Sequence, residues 1–132
     1  MEGVPWLRLG DHTEQIHTAD LRESNWARTR PIVVVSSGLD GDGSMEFARA
    51  FLSSGAVGVV ATEVPMTEPF AAPFGESLVS RLAGGEPVGW AVRNARLDLL
   101  QIGNPLGLGF TPFSRPEVRL MQSQIDADSA VV

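Results

Sequence analysis

The stretch Pro31-Ile32-Val33-Val34-Val35-Ser36-Ser37-Gly38-Leu39-Asp40-Gly41 (PIVVVSSGLDG) decides the fold. Four β-branched residues follow a proline and give way to small residues and glycines. Such side chains are stiff at χ1 and suit a pleated strand. Continuous apolarity, without polar alternation, marks a strand covered on both faces, as in a parallel sheet. Ile32–Val35 is therefore read as a buried strand, and residues 36–43 as the loop leaving it. Ser44 is placed to cap the helix beyond. Phe47, Ala50 and Phe51 fall on one face of that helix, and Gly55 stands where a left-handed C-cap residue belongs.

Working outward, Ala56–Ala61 (AVGVVA) reads as a second buried strand. Thr67 opens a helix with Phe70, Phe74, Leu78 and Leu82 at steps of four. Pro73 suits that helix if its regular part begins there. Gly84 and Gly85 end it. Pro87 starts another helix, whose apolar stripe is Val88, Val92, Ala95, Leu99 and Ile102, and Gly103 stops it. Leu106–Phe113 is read as the final strand, although Gly107, Gly109 and Pro112 weaken it. Upstream, Val4–Leu9 reads as a short strand, Asp11–Thr18 as a polar loop and Ala19–Ala27 as a weak helical turn. No internal repeat is visible.

Strand, helix, strand, two helices, strand implies an α/β domain over residues 1–120 with right-handed parallel crossovers. Residues 121–132 read as a frayed acidic tail. Three or four strands make a thin sheet, and an unpaired edge invites a partner chain.

Composition narrows the function classes. The 132 residues carry ten basic and sixteen acidic side chains, a net charge of −6, which opposes a phosphate backbone and argues against nucleic acid. All ten basic residues are arginine, read as the codon bias of a GC-rich bacterial genome. There is no cysteine, which excludes disulfides, thiolate metal sites and a cysteine nucleophile together. MEGVPWLRLG is not a signal peptide, and no apolar run approaches the roughly 20 residues that span a bilayer. The expectation is a soluble cytoplasmic protein without a cofactor.

At Pro31–Gly41 the residues resemble the nucleophile strand of CHAT domains, members of the caspase, gingipain and separase group. That family reads proline, about four apolar residues, two small residues, the catalytic cysteine, two variable residues and glycine. The similarity continues through Glu46–Val60 (EFARAFLSSGAVGVV) as a glycine-terminated helix followed by a strand. Ala91-Val92-Arg93-Asn94-Ala95-Arg96 resembles the family's ALRxAR stretch. Asn104–Leu108 and Arg115–Leu120 resemble its C-terminal strand and exit, and Leu9–Leu21 its arm before the nucleophile strand. The match spans about residues 4 to 120. It implies the C-terminal half of a caspase-like three-layer sandwich: a mostly parallel sheet with flanking helices, incomplete on its own.

Two departures qualify what the resemblance implies. Gly38 occupies the family's cysteine position. The family's catalytic histidine, in a His-Gly motif, belongs to an earlier strand than any present here. Thiolate chemistry needs the thiol, a base and an oxyanion hole together. The resemblance therefore implies a catalytically degenerate module acting in protein interaction or regulation. The alternative is a subunit or fragment of a cysteine endopeptidase whose histidine-bearing half lies elsewhere. The expected partner is a protein, or a second copy, joined through the exposed sheet edge.

Other candidates have plainer readings. Ser36 and Ser37 stand immediately before Gly38, but a serine depends on a positioned base more than a cysteine does. Asp40 and Asp42 suggest a weak Ca²⁺ site, although one short loop supplies too few oxygens, and a solvated turn is preferred. Gly38, Gly41 and Gly43 do not form the dinucleotide fingerprint, and two carboxylates would repel phosphate. His12 and His17 read as exposed histidines rather than metal ligands. Trp6, Trp26 and Trp90 are taken as core or half-buried anchors, or as marks of a partner-facing patch. Glu63 and Glu68 lie where an α/β sheet binds ligands, though a solvated loop explains them.

Overall fold

The computed structural model describes residues 6–8, 15–36 and 44–121. Its elements are β1 (Trp6–Arg8), β2 (Gln15–His17), α1 (Thr18–Glu23), β3 (Ile32–Val35), α2 (Ser44–Ser53), β4 (Gly58–Thr62), α3 (Glu68–Ala83), α4 (Val88–Gln101) and β5 (Phe110–Ser114). β1 and β2 form an antiparallel pair, and β3, β4 and β5 form a sheet with β4 in the middle. This is the expected α/β class: an open sheet between two helical layers.

Alternation along the strands sorts side chains between those layers. Val33, Val35, Val59 and Ala61 pack with Phe47, Ala50 and Phe51 of α2 and Leu21 of α1. Val60 and Phe110, joined by Ile32 and Val34, face Phe74, Leu78, Val88, Val92 and Leu99 of α3 and α4. Every residue of β4 is buried, as a central strand covered on both faces requires. The Phe74 and Phe110 rings stack with centroids 3.9 Å apart and tie α3 to β5.

β3 and β4 pair in parallel, with Val33 opposite Val59, as the crossover through α2 predicts. β4 and β5 pair antiparallel, with Val60 opposite Pro112, so only the crossover from β3 to β4 is the parallel one expected of a mostly parallel sheet. The reason is the helix pair. One helix returns the chain to the start of the next strand, whereas α3 followed by α4 brings it back to the far end, so β5 descends beside β4. The final strand is also shorter than predicted: Pro105–Gly109 forms a 3₁₀ turn, and β5 begins at Phe110. Pro105 opens that turn, and the Asn104 side chain accepts from the Leu106 N–H at 3.0 Å. Pro112 is tolerated because β5 lies at the sheet's margin.

Other boundaries shift for local reasons. Gln15–His17 is a strand rather than loop, because it pairs with β1 and Ile16 packs against the core. α3 begins at Glu68 and runs through Pro73, with Thr67 accepting the N–H groups of Phe70 and Ala71. Pro69 occupies the first turn, where no amide partner is lost. Phe70 is half exposed, and Ala71 takes its place on the buried face. Ile102 lies past the end of α4 and is 72% exposed, so the stripe stops at Leu99. Gly55 is the C-cap that the sequence indicates, at φ +108°; a Cβ there would approach the Ala27 Cα to 2.7 Å. The segment at Trp26 and Ala27 thus crosses the end of α2 at backbone contact, and the Trp26 N–H donates to the Ser54 carbonyl. The acidic tail from Gln122 and the loop at 37–43 lie outside the described residues.

Candidate functional site

In an open α/β sheet the place to look is the crevice beyond the carboxyl ends of the parallel strands. β3 ends at buried Val35 and the chain emerges at exposed Ser36. β4 ends at buried Thr62, and the Glu63 N–H donates to the Gly109 carbonyl at 2.8 Å, fastening the loop after β4 to the turn before β5. A Cβ on Gly109 would meet the Val64 side chain at 2.7 Å, so a larger residue there would force Val64 to move. Glu63 and Glu68 are both exposed, Glu63 in the loop after β4 and Glu68 at the first position of α3 rather than in that loop. Val64 of the loop after β4, Phe70 of α3 and Leu108 of the turn before β5 are exposed apolar side chains.

Of the other predicted residues, Ser37, Gly38, Asp40, Asp42 and His12 lie outside the described residues. His17 ends β2. Its N–H donates to the Asp20 carboxylate at 2.9 Å, while its Nδ1 is buried without a hydrogen-bond partner among the described residues. Among the described residues no hydrogen bond joins Ser36 to His17, so these two are not brought together as nucleophile and base. No group of three metal-ligating side chains occurs among the described residues. Of the helices described, none is long and apolar enough to cross a membrane. Trp26 is half-buried, as expected of an anchor, whereas Trp90 is 58% exposed and is not a core residue.

Two clusters escaped the sequence reading. The first joins α3 to α4. Asp98 accepts from Ser77 Oγ at 2.7 Å and from Arg81 Nη2 at 2.7 Å, and Arg81 also bridges Glu86 at 3.3 Å. The hydrogen bond from Arg81, then that from Ser77, hold the Asp98 carboxyl below its ordinary range. Arg81 is raised in turn, chiefly by its bond to Asp98. Asn94 bonds the other oxygen of Glu86, extending the network along α4. The second cluster is a surface cavity of about 530 Å³ at the start of α4, lined by Pro87, Trp90, Arg93, Pro116 and Arg119 among others. No spacing motif marks either cluster, because each unites segments that only the fold makes neighbours.

The architecture therefore defines an α/β open-sheet protein with an incomplete sandwich. No family model matches the chain. A probable protease of Vitiosangium sp. (strain GDMCC 1.1324) is 30% identical over 129 aligned residues. That alignment covers 89% of this chain and 17% of the relative, so this chain spans only a small part of that protein's length.

Proposed function

We propose that this chain is a caspase-like, CHAT-type module without a working nucleophile, and that it acts by protein–protein contact along its sheet edge. The observation that carries the reading is β3. Its side chains pack into both helical layers, yet within the described residues it pairs with β4 alone and forms the margin of the sheet. An unpaired row of backbone donors and acceptors beside apolar surface is a template for strand addition. The order from β3 to an antiparallel β5 supports the caspase-like reading, as does similarity to a probable protease. The absence of cysteine from the sequence, with Gly38 at the nucleophile position, supports the loss of peptidase chemistry.

A second reading is favoured by that relative's name and its far greater length. In it, this chain completes a cysteine endopeptidase whose histidine-bearing half is another segment or subunit. One experiment tests what both readings require, that this chain by itself has no peptidase activity. The purified chain and its Gly38→Cys variant are each incubated with a broad fluorogenic peptide library. Neither is expected to cleave, because a general base contributes roughly 10²- to 10⁴-fold and the family's base is missing. Turnover by the natural chain, abolished by Ser37→Ala, would overturn the degenerate reading. Turnover by Gly38→Cys alone would show that His12 or His17 supplies the imidazole.

A further inference from the structure

Two segments distant in sequence meet at the start of α4. The N–H groups of Val88 and Gly89, among the first of that helix, donate to the carbonyls of Val118 and Pro116 at 2.8 and 3.0 Å. These amides are consumed by the chain's own backbone, so the helix terminus offers them to no anion. Val118 and Leu120 pack onto the core below, which fixes the strap in place. Glycine is needed at position 89, since a Cβ there would come within 2.8 Å of the Pro116 Cβ. The open cavity so formed, about 530 Å³, has Pro87, Trp90 and Pro116 as its apolar surface.

Three charged side chains, Arg93, Glu117 and Arg119, line this cavity. Glu117, the acidic residue in the lining, is bridged to Arg115 at 2.9 Å. The Arg93 guanidinium lies 5.4 Å from the Trp90 ring centroid and donates to the Asn94 side chain at 3.3 Å, with no ion pair to a carboxylate among the described residues. Arg119 forms no hydrogen bond or ion pair with the described residues. By contrast, Arg81 is paired twice and Arg96 donates to the Phe110 carbonyl. On a chain of net charge −6, two guanidiniums with no carboxylate partner among the described residues therefore flank an exposed tryptophan between two prolines.

We propose that this groove binds an extended acidic peptide segment of another protein, with an apolar or proline side chain over Trp90 and carboxylates on Arg93 and Arg119. Guanidinium matches carboxylate geometry and is weakly hydrated, which suits it to such an interface. Proline and tryptophan walls suit an extended backbone, and an exposed tryptophan is a common binding anchor. A nucleic-acid strand is disfavoured by the acidic remainder of the chain. The proposal is independent of the caspase-like reading and of the sheet edge.

The test selects a phage-displayed random peptide library on the full chain. Binding of a selected, fluorescein-labelled peptide is then measured by fluorescence anisotropy. The selected sequences should be rich in aspartate and glutamate beside proline or aromatic residues. Joint Arg93→Glu and Arg119→Glu reversal should weaken binding by roughly ten-fold or more, and added salt should weaken it further. Arg49→Glu, exposed on α2 in the opposite layer, should change it by less than about two-fold. Both arginines of the groove are exposed, so a matching thermal melt would confirm that the reversed variant folds. Selection of no peptides, selection without acidic enrichment, or indifference to the reversal would overturn the proposal. Equal competition by inorganic phosphate or by a short RNA would overturn the peptide assignment.

Discussion

Asp98 shows how a single side chain couples stability to pH here. Its carboxylate receives Ser77 and Arg81 at 2.7 Å each and pins α3 to α4 across the turn at Gly84 and Gly85. Because its folded pKa is lowered, the stability it contributes is present above the ordinary aspartate value, 3.8, and is lost as pH falls through the lowered one. At 42% exposure the network is partly screened by water, so Asp98→Asn should cost under about 1 kcal/mol at neutral pH. Thermal melts of both proteins should differ at neutral pH and converge as pH falls below the aspartate range. A difference that stays constant into strong acid would assign Asp98 no ionised role. The pair was not legible in the sequence, since Ser77, Arg81 and Asp98 lie on two helices whose relative rotation is set only by packing.

The same limit operates along α3. Residues four apart advance about 40° around a helix axis, so Phe70 stands roughly 80° from Leu78. Ala71, Phe74 and Leu82 stay within about 40° of it. The sequence shows the stripe but not its centre, which the sheet decides: Phe74 is fully buried against Phe110, while Phe70 is 50% exposed. Phe74→Ala should therefore cost about 3–5 kcal/mol, and Phe70→Ala less than about 1 kcal/mol, in urea unfolding. Equal losses would mean that Phe70 packs against something not seen here. Strands were more legible than helix faces. Ile32–Val35 announced β3 to the residue, because a β-branched run allows little else. β4 begins two residues later than its apolar run, since Ala56 and Val57 serve the turn from Gly55 into the sheet. β5 was located only approximately, because Pro105 and the Asn104 cap spend its expected first half on a 3₁₀ turn.

For the whole molecule, sheet arithmetic dominates. Three strands, one parallel pair and one antiparallel, are covered on both faces by helices, yet β3 stays at the margin of the sheet in the described residues. That thinness was legible in the sequence from the number of apolar runs. The groove at Trp90 was not, because its two walls are joined by backbone hydrogen bonds from Val88 and Gly89 to residues 116–118. A bare strand with apolar side chains on both faces is stabilised when another strand supplies its missing hydrogen bonds. Joint reversal of Arg93 and Arg119 should leave such pairing intact, as those side chains belong to α4 and the strap. The central claim is that the β3 edge is completed by another chain, and sedimentation equilibrium of the purified protein at micromolar concentration tests it most directly. The expected result is a mass of at least twice the 14.1 kDa protomer, or poor solubility of the chain without its partner. A stable monomer that unfolds cooperatively would contradict it.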